Sequence, residues 1–118
     1  MRQKAIPAKV RALVEARSEG ICEGCREARA TEMHHRKFLT RGGKHEVSNL
    51  LHLCGWGNHT GCHGIAHSGK RGEELGWAIS SGTTPEFSPL HTPYTDLDGR
   101  MWFLLADGTR QECVSPMF

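Results

Sequence analysis

The sequence predicts a small α+β domain: an N-terminal helix, two short strands, a second helix and a C-terminal hairpin. Three observations predict it. An amphipathic stretch opens the chain. Two cysteine pairs, Cys22/Cys25 and Cys54/Cys62, then bracket a segment holding His34-His35 and Asn49. Residues 101–114 then flank a turn-forming Asp107-Gly108, which is hairpin patterning.

Size makes that prediction conditional. The chain has 118 residues, 37% of them hydrophobic and 14 of them Gly. Such a chain can bury one modest core, and a structural metal would help it fold. No apolar run reaches transmembrane length, so no membrane partner is expected. The start, MRQKAIPAKVRALV, lacks the apolar stretch and cleavage site of a secretory signal, and a cytoplasmic setting is the expectation. There, Cys-x2-Cys reads as a metal site in preference to a disulfide. Cys113 lies in a different context and reads as a buried or free thiol. Charge is uneven. Residues 1–50 carry 11 Lys/Arg against 6 Asp/Glu, and residues 51–118 carry 4 against 7. The basic half suits a phosphate backbone, although a solvated helix face would look the same.

Taken in order, residues 8–19 place Val10, Leu13, Val14 and Ala16 at helical spacing. Pro7 fits the first turn and Gly20 the C-terminal stop. Residues 21–26 read as a tight knuckle whose Glu-Gly centre lets the backbone turn both thiolates inward. Residues 30–38 read as a strand. Residues 40–44 form a flexible basic loop, and residues 47–53 a second strand or a turn leading into one. From Cys62 to about Leu75 the chain reads as helical, with His63 and His67 on one face. Residues 77–79 suggest a short strand and residues 80–99 a loop or extended arm. Residues 101–114 suggest a hairpin turning at Asp107-Gly108. Trp102 and Phe103 there read as core.

The cysteines suit zinc, which favours four tetrahedral ligands and accepts thiolates. Cys22-x2-Cys25 is a strong half-site. Cys54-x7-Cys62 is a weaker one because its loop, GWGNHTG, is long, although its glycines let it close. One pair alone, or His59 in place of a cysteine, are the alternatives.

The histidines suggest something reactive. His34 and His35 are adjacent, so on a strand they face opposite ways and can do different jobs. His63 and His67 are four apart, so on a helix they project together and can grip one ion. Three imidazoles leave positions open for water and a phosphate oxygen.

Together Cys22-x2-Cys25, His34-His35-Arg36, Asn49-Leu50-Leu51-x-Leu53-Cys54 and Gly61-Cys62-His63-x3-His67 resemble the HNH endonuclease family, over about residues 20–68. The likeness is greatest to small phage-type members with a glycine-rich loop between the second cysteines. It implies a ββα-metal (His-Me finger) core with a four-cysteine zinc site. On that reading residues 1–76 form the core with its N-terminal helix and zinc knuckles. Residues 77–118 form a C-terminal β-hairpin extension packed on or beside it.

The resemblance also implies roles. His34 and His63 bind a catalytic metal, His35 is the general base, and Asn49 braces the loop between the strands. His67 matches a second helical histidine of the nuclease colicins. The implied activity is metal-dependent hydrolysis of DNA, with structural Zn2+ and a catalytic Mg2+, Mn2+, Ni2+, Co2+ or Zn2+. Many members have Asp where His34 stands, and the nitrogen-rich site here favours Mn, Ni, Co or Zn over Mg. The last two cysteines are also farther apart than the usual two intervening residues. Arg36, Lys37, Arg41 and Lys44 are candidate DNA-backbone contacts. Phage genome-packaging machinery in a host cytoplasm is a candidate setting. The main rival is a non-catalytic zinc-binding module for DNA or a protein partner, which leaves the histidine pairs without a purpose.

Overall fold

A computed structural model describes residues 5–113. Arg2 and Lys4 of the basic half, and Val114 at the end of the expected hairpin, lie outside the described residues. The order is α1 (Ala8–Ser18), β1 (Glu32–His35), β2 (Leu50–Leu53), α2 (Gly61–Ala66), α3 (Lys70–Glu74), β3 (Tyr94–Thr95), β4 (Met101–Leu104) and β5 (Arg110–Glu112). Two small antiparallel sheets result, β1-β2 and β3-β4-β5. Among the described residues no helix is long and apolar enough to cross a membrane.

The β1-β2 ladder is the centre of the molecule. Glu32 pairs with Leu53, Met33 with His52, His34 with Leu51 and His35 with Leu50. Alternation along the strands then sorts side chains to two sides. On one side Met33 and Leu50 pack with Val10, Leu13, Val14 and Val47, which seats α1. On the other, Leu51 and Leu53 pack with Cys22, Cys62, Ala66, Trp77, Tyr94 and Leu104. The second cluster draws on residues before and after position 76, so the C-terminal sheet shares this core.

A buried ion pair ties α1 to β2. Arg17 meets both carboxylate oxygens of Glu23, at 2.7 and 2.8 Å, and donates to the carbonyls of Val47 and Leu50. Glu23 in turn accepts the His52 N–H at 2.9 Å. The pair is satisfied on both sides, which is what a buried charge requires.

Several elements differ from the sequence expectation. Pro7 is the N-cap of α1 rather than part of its first turn, and Glu19 takes the left-handed position at φ 55 before Gly20. The expected helix over residues 62–75 is two short helices. Gly69, at φ 72, cannot continue a right-handed helix, and the Ser68 hydroxyl bonds the Ile65 carbonyl at 2.6 Å to close the first. Residues 77–79 are not a strand. Only a single parallel bridge, Lys37 with Ile79, forms there. The arm over residues 80–99 contains two 3-10 turns and supplies β3. The C-terminal hairpin does turn at Asp107-Gly108, where the Asp107 carboxylate accepts the Thr109 N–H at 2.9 Å.

Candidate metal centre

Cys22 and Cys25 lie in a turn closed by the Ile21–Arg29 bridge, Cys54 directly follows β2, and Cys62 lies in the first turn of α2. Their four sulfurs lie within 4.8 Å of one another. A tetrahedral zinc with Zn–S of about 2.3 Å needs sulfurs about 3.8 Å apart, so a small contraction suffices. Main-chain N–H groups already point at the sulfurs. Gly24 and Cys25 donate to Cys22, Ala28 to Cys25 and Cys62 to Cys54, at 3.3–3.5 Å. Such donors favour thiolates.

The four sulfurs also act on one another's protonation. A hydrogen bond with Cys62 drives the Cys22 thiol down to about 4, while Cys62 and Cys54 are pushed up. Four sulfurs cannot hold four negative charges without a positive centre. These residues could hold a zinc ion. His59 is exposed on the 55–60 loop and is not part of the cluster.

The knuckle is pressed against the rest of the core at Gly24. A Cβ there would lie 2.7 Å from Cη2 of Trp77 and 3.1 Å from the Cys62 sulfur. Only glycine permits that approach.

A second donor set is made by imidazoles. His34 from β1, His63 from α2 and His67 at the end of α2 place one ring nitrogen each within 4.8 Å of the others. Ring centroids are 4.9, 5.1 and 5.0 Å apart, close to an equilateral triangle. The outward nitrogens are anchored. His34 donates from Nε2 to the Trp77 carbonyl at 2.6 Å, since a carbonyl only accepts. His63 donates from Nδ1 to the Glu32 carboxylate at 2.8 Å. Nδ1 of His34 and Nε2 of His63 are the ring nitrogens that these two contacts leave for another partner. Metal-binding histidines are commonly fixed in this way.

Burial supports the neutral ring that a metal needs. It pushes His34 down to about 3, helped by the neighbouring histidines and opposed by the Trp77 carbonyl. Burial, then His63, also lowers His67. Phe38 stacks on His67 at 4.8 Å and is covered by Arg41 at 4.4 Å.

His35 stands beside this triangle. It lines the same cavity of about 410 Å3 as His34, His63, His67, Phe38 and Asn58. Its Nε2 is 3.0 Å from Nδ1 of His45, so its own Nδ1 is the nitrogen left for another partner. Burial, then His45, lowers its pKa, so the ring is neutral near pH 7. Asn49 is fully buried and accepts the Lys37 N–H at 2.7 Å. It donates to the carbonyls of Lys37 and Lys44, both at 3.0 Å. It therefore clips the loop between β1 and β2 shut behind His35.

The basic residues fare differently. Arg36 is 0% exposed and donates to the carbonyls of Gly76, Ser48, Pro89 and Thr92. It cannot touch DNA and is corrected to a structural clamp for the C-terminal arm. Burial lowers its pKa to about 9, which still leaves it charged at pH 7. Lys37 is half-buried and its ammonium is engaged by the carbonyls of Gly82 and Phe87. It too serves the arm. Arg41 lies over Phe38 at the edge of the triangle, and Lys44 is exposed on the loop.

Sequence reasoning missed three contributors. Glu32 had a signal, because on a strand it shares a face with His34. His45 had none, since only the loop path brings it to His35. The Trp77 contribution is a main-chain carbonyl, which residue type does not announce. Comparisons with family models, curated proteins and solved structures find no match for this chain.

Proposed function

We propose that the chain is a metal-dependent endonuclease of the HNH type, with β1, β2 and α2 as a ββα-metal core, hydrolysing phosphodiester bonds of DNA. One observation carries this reading. The imidazoles of His34, His63 and His67 bring one ring nitrogen each together while a fourth, His35, opens into the same cavity. A structural zinc module has no use for that second set.

His34, His63 and His67 fit a divalent ion by donor type and spacing. A tetrahedral ion at about 2.0–2.1 Å needs nitrogens about 3.3 Å apart, within reach of the present triangle. Bound there, such an ion supplies positive charge beside the phosphate and the leaving oxygen. The chain's own residues do the rest. His35 Nδ1 takes a proton from water, and the water oxygen attacks phosphorus. The bond from phosphorus to the 3′ oxygen breaks, and that oxygen gains a proton from solvent. The products carry 5′-phosphate and 3′-hydroxyl ends. His45 holds the His35 ring, and Asn49 holds the loop behind it. Arg41 is the cation best placed to meet a flanking phosphate.

The test is supercoiled plasmid with Mn2+, Ni2+ or Mg2+, using wild type and His35→Ala. Cleavage by wild type that disappears in a folded, zinc-loaded His35→Ala protein is expected. No cleavage with any metal, in a folded protein, would return the chain to a non-catalytic zinc-binding module.

A further inference from the structure

Trp56 is 75% exposed, the most exposed large hydrophobic side chain of the described residues. It sits on the loop that joins two cysteines of the sulfur cluster, and that loop is built to a fixed shape. Thr60 Oγ1 accepts the Trp56 N–H at 2.7 Å, and Thr31 Oγ1 donates to the Gly55 carbonyl at 2.7 Å. Gly55, Gly57 and Gly61 all take positive φ to close it. The loop also reaches the reactive cavity, because Asn58, two residues beyond Trp56, lines it with His34 and His63.

A hydrogen-bonded loop that holds an indole in water gains nothing for folding from that exposure. It gains for binding, because a pre-ordered aromatic face loses little freedom when something flat covers it. What approaches that cavity, on the proposed nuclease reading, is a nucleic-acid strand, and its flat elements are bases. Bases inside a duplex are already stacked on each other, whereas unpaired bases are free to stack on an aromatic side chain. We infer that Trp56 is a stacking platform for an unpaired base next to the scissile phosphate, giving the protein a preference for single-stranded or locally opened DNA. The inference rests on the nuclease reading for its ligand but adds a determinant of which DNA form is held.

The test measures binding of full-length, zinc-loaded, Mn2+-loaded protein carrying His35→Ala, so that nothing is cut. The probes are a labelled single strand of about 12 nucleotides, within the span of single-strand sites, the same strand with abasic residues, and the matching duplex. Adding Trp56→Ala is expected to weaken single-strand binding about tenfold, within the range for one stacked base. It should leave duplex binding and the salt dependence unchanged, because no phosphate contact is lost. Trp56→Phe should keep most of the affinity, and the abasic strand should erase the difference. Unchanged single-strand binding, or equal weakening for duplex and abasic strand, overturns the platform while leaving the nuclease reading in place. Failure of the Trp56-bearing protein to bind any of the probes at low salt overturns both. A zinc content unchanged by Trp56→Ala excludes loop collapse as the cause.

Discussion

Glu32 and His63 meet across the β1–α2 interface, with the carboxylate accepting the Nδ1 proton of the ring at 2.8 Å. The contact fixes which nitrogen of His63 faces the imidazole triangle. Glu32→Ala is therefore expected to weaken Mn2+ or Ni2+ binding at the triangle by about 10- to 100-fold, the usual cost of losing such a partner. The sulfur site should keep its zinc. Competition against a metal-sensitive dye reads the change, and unaltered affinity would remove Glu32 from the site.

His45 is expected to act through His35. His45→Ala should lower kcat on plasmid about tenfold, less than the roughly 10²–10⁴-fold expected for loss of a general base. KM should hardly move. His45→Asn, whose side-chain oxygen can stand near the lost Nδ1, should restore part of the rate. Equal loss in both variants would make His45 only a packing residue.

The sulfur cluster should govern folding. Cys62→Ser, or a strong chelator added to wild type, is expected to abolish zinc binding and the cooperative thermal transition together, because site and fold form as one. Circular dichroism with a colorimetric zinc assay follows both. A Cys62→Ser protein that melts like wild type would relegate the cluster to an accessory role.

Glu23 lies between the first two cysteines but works for α1. Glu23→Ala strands the buried Arg17 guanidinium and should cost about 3–5 kcal/mol, as breaking one side of a buried pair does. Urea unfolding measures it. A loss within about 0.5 kcal/mol, the scale of ordinary surface substitutions, would show that Arg17 finds other partners.

Acid should destabilise the fold through the buried histidines. His34 has a folded pKa of about 3 against an ordinary value of about 6.5 in the unfolded chain. Between those values the unfolded chain binds the extra proton. Stability is then full above about pH 6.5 and falls by up to about 1.4 kcal/mol per pH unit below it, flattening near pH 3. His35 and His67 are shifted the same way and steepen the fall. Urea midpoints compared at neutral pH and at a pH well below 6.5 test this. A flat profile would mean that the rings are open to protons in the folded state.

How much of this could be read in advance follows from the range of each signal. Cys22-x2-Cys25 and the Asp107-Gly108 turn are local, and both were legible. The β1 strand was legible as a short segment after a turn, and β2 in part, since residues 47–53 read equally as a strand or as a turn leading into one, and hold both. The fate of Arg36 was not. Its neighbours His35 and Lys37 are at least partly exposed, and only the returning arm, with the carbonyls of Pro89 and Thr92, encloses it. The break at Gly69 was half-visible, since glycine weakens a helix without saying where it stops. The 80–99 arm reads as irregular because a two-residue strand such as Tyr94–Thr95 has no periodicity to detect.

Trp77 gives the two donor clusters a common fate. Its side chain lies against Gly24 in the cysteine knuckle, and its carbonyl orients His34. A chain with its knuckle unformed has no firm seat for that indole, and so no fixed acceptor for the His34 proton. On the proposed nuclease reading, an ion at the sulfurs would then have to precede one at the imidazoles, and a chain lacking the first would leave nearby DNA uncut.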